Sequence, residues 1–289
     1  MPNGLQSGKA MLFTKKAGLL TLLLLIIDLS LVNAQSERVN WKRVKVLVYT
    51  KNGKGYVHDN IPFAVQCMLR LGKQHGFSVD TSSRPDAFSE ANLKQYNALI
   101  FASTNNDVFD ADTQRLAFRR YIEAGGGFVG IHSVLGTERN WPWFKRMMGG
   151  TFLWHPRFQP YRLRVLDANH PSMKDVPTVW TKSDECYFMK ELSPGPTTVL
   201  AHELGSLNSE ESEKIKASAG AYTELYPAAW YYHFDGGYTW CTALGHDKKD
   251  YADPTFVNHL FQGLRYVVSQ VKSIDHRKAY AQSASEVIR

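Results

Sequence analysis

Cysteine is scarce in this sequence. Cys67, Cys186 and Cys241 are the only three in 289 residues, too few for a disulfide framework and without the short spacings of a cysteine metal site. A Cys186–Cys241 bridge in an oxidising compartment and a pair of buried free thiols both fit. Clustered charge is missing as well. The formal net charge is +7, yet no basic run exceeds two residues, so the excess reads as solubility and no nucleic-acid partner is expected. Phosphate-binding loops are absent too. The segment Lys51–Asp59 holds Gly53 and Gly55 but matches neither the P-loop nor the GxGxxG pattern, so no nucleotide cofactor is expected. No internal repeat or low-complexity segment occurs.

One long apolar run is present, near the N-terminus. Lys9, Lys15 and Lys16 lead into Ala17–Val32, and Val32-Asn33-Ala34 fits the small-residue rule for signal-peptidase cleavage. The run is about 16 residues, short of the roughly 20 that a helical span needs. A signal peptide over residues 1–34, cleaved after Ala34, is expected, with export to the periplasm or the medium and no stable membrane insertion afterwards. An uncleaved anchor is the rival reading. Hydrophobic residues at 44% and charged residues at 21% suit a globular chain. Residues 35–272 suit one large α/β domain, and the polar tail 273–289 is expected to fray.

The pattern alternates strands and helices. Strands are expected at Val44–Thr50, Phe77–Asp80, Asn97–Ala102 and around Phe128–Ile131, with helices after Asn60 and over Asp110–Ala124. Gly125-Gly126-Gly127 ends the second helix, since glycine accepts the left-handed backbone of a helix terminus. Further strands are expected at Tyr161–Leu166, Thr197–Ala201, Ala228–Phe234 and Tyr238–Leu244, the last two joined by a hairpin turn at Asp235-Gly236-Gly237. Glu203–Gly220 reads as a mobile surface excursion. Asp253-Pro254 caps a final helix with Phe256, Leu260, Leu264 and Val267 on one face and His259 on its surface. The order gives a doubly wound α/β layer fold.

In such a sheet, ligands bind at the carboxyl ends of parallel strands. His132 follows the strand ending at Ile131, where it could ligate a metal, move protons or simply bond within a turn. His58, His155 and His246 also follow or adjoin expected strands. Asp184 and Glu185 sit in a loop that could fold over them. His58, His132, His155 and His246 are the candidate metal ligands, and a divalent metal, zinc foremost, suits their donor types. Without metal, His132, Glu185 and Asp184 are the candidate acid–base residues. Asp59 or Asn60 reads as a helix cap.

Taken in order, Gly55-Tyr56-Val57-His58-Asp59, Gly125–His132, His155-Pro156, Asn169-His170-Pro171, Asp184-Glu185, Ala229-Trp230 and Thr242–His246 resemble ThuA-like (trehalose-utilisation) domain proteins. The resemblance spans Val44–Val268. It implies a flavodoxin-like, mostly parallel sheet similar to class I glutamine amidotransferases, here with an added β-hairpin and a C-terminal helix. It also implies a role in disaccharide or keto-sugar metabolism. The amidotransferase relatives carry a cysteine nucleophile on the turn after the equivalent strand. His132 stands there in this chain, so glutamine hydrolysis is not expected, and Ser133 lacks the Gly-x-Ser-x-Gly elbow that would make it a substitute.

A sugar or glycoside ligand would stack on aromatic faces. Tyr56, Trp154, Trp180, Tyr187 and Trp230 are the candidates for that contact. Three readings of function stand side by side: an exported sugar-acting hydrolase, lyase or isomerase, a non-catalytic carbohydrate-binding protein, and a structural or interaction module. The sequence carries no signal for oligomeric state.

Overall fold

Short apolar runs closed by glycine or a polar turn become buried strands, while runs with apolar residues every three or four positions become helices. A computed structural model describes residues 39–289. The leader expected over residues 1–34 lies outside the described residues. The strands are β1 (Lys45–Tyr49), β2 (Ser78–Ser82), β3 (Ala98–Ala102), β4 (Gly127–Ile131), β5 (Thr151–Trp154) and β6 (Gln159–Val165), then β7 (Val179–Asp184), β8 (Phe188–Lys190), β9 (Thr197–Glu203), β10 (Leu225–Phe234) and β11 (Gly237–Thr242). Among the described residues they form a nine-stranded sheet in the order β2-β1-β3-β4-β11-β10-β9-β6-β7 and a separate ribbon, β5-β8.

The first five strands of that order are mutually parallel. Their arrangement is that of a flavodoxin-like sheet, whose ligand crevice lies between the first and third strands at the carboxyl edge. β3 and β4 are buried along their whole length, which explains their unbroken apolar sequence. The antiparallel part is larger than the one expected hairpin. β10, β9, β6 and β7 all pair antiparallel. Strand direction alternates through them, so β7 ends on the same edge as β4 and β11. β7 also curls back over the C-terminal helix Pro254–Gln270, where its Trp180 ring lies 5.9 Å from that of His259.

Local chemistry explains the joints. Helix Asp112–Glu123 ends at Ala124, and Gly125 takes φ +96° as expected, but Gly126 is glycine for another reason. A β-carbon on Gly126 would fall 2.3 Å from the Tyr121 ring. The β10–β11 hairpin turns on Asp235 and Gly236, both at positive φ, the backbone of a two-residue turn matched to strand twist. Asp253 caps the last helix by accepting from the Phe256 amide at 2.8 Å. No helix among the described residues is long and apolar enough to cross a membrane.

Three expectations need correction, and one open choice is decided. His259 is buried, not superficial: it meets the Trp240 ring edge-on at 4.8 Å and its Nε2 lies 3.1 Å from Thr242 Oγ1. It falls three residues after Phe256, on the buried face, where its polarity hid its position. The tail does not fray. Arg119 and Glu123 form a buried pair at 2.8 Å, and their spare hydrogen-bonding groups take the tail's backbone: Arg119 donates to the Ala284 carbonyl, and Glu123 accepts from the Tyr280 and Ala281 amides. A polar composition conceals a dock made of main-chain groups. The segment 203–220 is not one irregular excursion, since Ser212–Ala219 is a helix with Ile215 and Ala219 buried. Of the two readings of Cys186 and Cys241, the buried free thiols hold, and no bridge joins them.

His202 and His259 are fully buried, and burial drives the pKa of each down to about 3, with Lys182 adding to the effect on His259. In the unfolded chain both titrate near 6.5. Below that pH the unfolded state takes up protons that the folded state refuses, so stability is full above about 6.5 and falls toward 3, by up to roughly 1.4 kcal/mol per pH unit for each residue. Urea midpoints measured at pH 7.5 and pH 5 should drop on acidification. His202→Phe should flatten part of the slope. A midpoint unchanged or raised at pH 5 would contradict this.

Candidate functional site

Four loops meet at the carboxyl edge, each delivered by a strand end. His132 directly follows β4 with φ +53°, in the left-handed region that costs a residue with a β-carbon roughly 1–2 kcal/mol. Its Nδ1 lies 3.0 Å from the Ala243 carbonyl oxygen. A carbonyl only accepts, so Nδ1 holds the hydrogen, and in the neutral ring Nε2 keeps a free lone pair. That nitrogen lies 3.1 Å from Tyr187 Oη, 3.3 Å from His246 Nδ1 and 3.7 Å from Glu185 Oε2.

His246 follows β11 after Gly245, at φ +108°, where a β-carbon would fall 2.8 Å from the Phe256 ring. Its Nδ1 lies 3.0 Å from Glu185 Oε2. His58 comes from the loop after β1. Its ring centroid is 4.7 Å from that of His132 and 5.4 Å from that of His246. Asn60 ties this loop to the next, donating through Nδ2 to the carbonyls of Gly245 at 2.7 Å and His246 at 3.2 Å. The expected side-chain cap at Asn60 is not made.

Asp184, the last residue of β7, is the anchor. Its carboxylate accepts from the amides of Glu185 (2.8 Å), Gly245 (2.8 Å) and His246 (3.2 Å), with Lys182 Nζ at 3.3 Å. These partners are backbone amides and a lysine of the scaffold, so the carboxylate ties the loops together. Lys182 also pairs with Asp250, whose pKa burial and the nearby Asp184 raise to about 7.

His58, His132, Glu185 and His246 each present a donor atom within 4.8 Å of the others. This group could hold a metal ion. Tetrahedral bonds of about 2.0–2.1 Å put donors roughly 3.3 Å apart, close to the 3.0, 3.3 and 3.7 Å found among Glu185 Oε2, His246 Nδ1 and His132 Nε2. Two buried atoms of the group are also short of partners. His58 Nδ1 has none, and Glu185 Oε2, though near His246, has no aligned donor. His155 contributes differently. It touches the other oxygen of the same carboxylate, Oε1, at 3.4 Å, so Glu185 takes the place expected for His155 among the four donors.

Protonation follows from burial. It pushes the His58 pKa down to about 4, with the His246 charge assisting, and holds His132 well below the usual range, with His58 assisting. Burial works to lower His246 too, but the contact and charge of Glu185 outweigh it and raise the pKa. Tyr187 stays a phenol, raised well above its usual value by burial and then by Glu185. The ribbon sets Tyr187 and His155 side by side at the ends of β8 and β5, their rings 5.4 Å apart and stacked.

A cavity of about 410 Å³ opens beside the cluster. Tyr56, Phe152 and Tyr187 supply its aromatic surface, and Asn105, Ser133 and Arg139 add polar groups. Three expected stacking residues are elsewhere. Trp154 donates to Ser218 and stacks on Phe188, Trp180 packs against His259, and Trp230 lines a separate small cavity with Met148 and Pro227. They alternate into packing faces, which density in sequence does not reveal. Asn105 was legible in principle, since it lies just past β3 on the same edge. Arg139 lies well past the end of β4 and Phe152 lies within β5 of the separate ribbon, and neither gave a signal.

The fold and the strand-end cluster define an α/β protein with a flavodoxin-like sheet and a His/Glu site at its carboxyl edge. The model of the ThuA family, described as trehalose utilisation, matches residues 45–267, and the chain belongs to that family. Two solved structures share the fold. A putative ThuA-like protein from Bacteroides uniformis is 23% identical, with a TM-score of 0.64 over 83% of this chain and 97% of that one. Another from Parabacteroides merdae is 17% identical, with a TM-score of 0.61 over 83% and 99%. No curated protein matches the chain in sequence.

Asp184→Asn should leave the fold intact by circular dichroism yet weaken divalent metal binding by about 10–100-fold, the usual loss when a group orienting the ligands is removed. Competition with a chromophoric chelator measures it. Unchanged affinity would show that Asp184 does not set the ligand positions.

Proposed function

We propose that the cleft is the catalytic site of a sugar-acting enzyme that works on a disaccharide, glycoside or keto-sugar. The observation that carries this reading is the convergence of three imidazoles and one carboxylate, with unsatisfied donor atoms, on a cavity of sugar size. The family's link to trehalose utilisation supports the substrate class. Without a metal, Glu185 is the carboxylate poised to take a proton beside a sugar carbonyl, whereas with an ion bound it would be a ligand; in either case the Tyr187 phenol is poised to donate a hydrogen bond to the oxygen that gains charge. Loss of an aglycone by elimination, or isomerisation, then completes the reaction. Asp184 and Glu185 are adjacent, which disfavours hydrolysis by two carboxylates flanking a glycosidic bond.

The three imidazoles and Glu185 suit zinc best among divalent metals. When bound, such an ion supplies a Lewis acid for the substrate oxygen. The neutral rings of His58 and His132 are ready to bind it without losing a proton. A purely carbohydrate-binding protein is the second reading. The placement of Trp154, Trp180 and Trp230 away from the cavity weighs against it, because stacking area is what such a site would need.

Metal analysis of the purified protein, joined to a screen of native and 3-keto disaccharides, tests the proposal. Turnover of a keto-glycoside is expected, with His132→Ala lowering it by roughly 10²–10⁴-fold. Binding of sugars without any turnover would move the binding-protein reading ahead.

Export belongs to the same proposal and rests on the residue pattern of positions 1–34. N-terminal sequencing of the exported protein should begin at Gln35. An intact Met1 on a membrane-embedded product would contradict it.

A further inference from the structure

Arg139 is the only Lys or Arg among the residues lining the cavity. Its guanidinium is fixed on one side, with Nε donating to the Gly136 carbonyl at 2.9 Å and Nη2 to Asn105 Oδ1 at 3.2 Å. The Phe152 ring lies 5.3 Å below it. Gly136 makes room for this arrangement: a β-carbon there would fall 2.3 Å from Asn105 Oδ1 and 2.7 Å from Arg139 Nη2. Nη1 is left with no hydrogen bond among the described residues, and no carboxylate there lies within ion-pair distance. Of the four other half-buried or buried arginines among the described residues, Arg265 likewise meets no carboxylate and donates only to Gln262, while three differ. Arg115 pairs with Glu138, Arg119 with Glu123 and Arg120 with Glu90. On the same turn the buried Ser133 hydroxyl, which also lines the cavity, has no partner.

A half-buried cation held rigid without a counter-charge is costly unless a ligand completes it. A guanidinium with one free edge matches a planar or tetrahedral anion. We propose that Arg139, helped by Ser133, is an anion subsite of the cleft, so that the ligand bound beside the His/Glu cluster carries a carboxylate or phosphate group. Resting on the sugar reading above, this makes the substrate an acidic sugar. The anionic group docks on Arg139 and orients the rest of the molecule toward Glu185 and Tyr187.

Calorimetric titration of the purified protein with glucose, glucuronate, glucose 6-phosphate and malate tests it, in the wild type and in Arg139→Gln and Arg139→Lys variants. Glucuronate or glucose 6-phosphate should bind at least about tenfold tighter than glucose, as one charge-assisted contact allows. Arg139→Gln should erase that preference, and Arg139→Lys should keep part of it. The tighter of the two acidic sugars identifies the anion. Malate binding as well as glucuronate would uphold the subsite while removing the sugar reading. Equal affinity for glucose and both acidic sugars, no binding of any anion, or a preference that survives in Arg139→Gln would overturn the proposal.

Discussion

The Asp184 carboxylate, buried at the end of β7, accepts hydrogen bonds from the amides of Glu185, Gly245 and His246. Through it the last strand of the antiparallel half is fastened to the end of β11 in the parallel half. A buried carboxylate is tolerable only when its lone pairs are filled. Here the groups that fill them are backbone amides, two of them belonging to cluster residues. The constraint therefore runs from an electrostatic necessity to the position of a functional group. Asn60 repeats the logic from the other side, binding the His58 loop to the carbonyls of Gly245 and His246, two of the residues whose amides Asp184 holds.

The cluster held by these anchors is electrostatically divided. His58 and His132 are kept neutral by burial, while His246 is drawn toward its charged form by Glu185. Groups pushed in opposite directions within one cleft are the arrangement that acid–base chemistry needs. The left-handed backbone of His132 adds local strain at the same point. β4 and the turn after it hold the ring where a relaxed loop would not.

Much of this was readable in the sequence because parallel topology converts order along the chain into position on an edge. Once β1, β4 and β11 are recognised as strands, His58, His132 and His246 must share that edge. Glu185 was harder, since its strand belongs to the antiparallel half and reaches the cluster only because the sheet curls. The aromatic residues misled for a related reason. Trp154, Trp180 and Trp230 lie close to site motifs in sequence, but their side chains face packing layers. His259 and the tail were misjudged from polarity alone, while their partners, Thr242 and the Arg119–Glu123 pair, lie far away in the chain. Single-residue chemistry predicts which groups could act. Which groups meet depends on long-range contacts that local patterns do not encode.

Three imidazoles and one carboxylate are placed to act as a single donor group. X-ray absorption at the zinc edge of the zinc-loaded protein tests it most directly. One tightly bound ion with nitrogen and oxygen donors at about 2.0–2.1 Å is expected, its signal lost in Glu185→Gln and His132→Ala. A sulfur shell, or a spectrum unchanged by both substitutions, would contradict it.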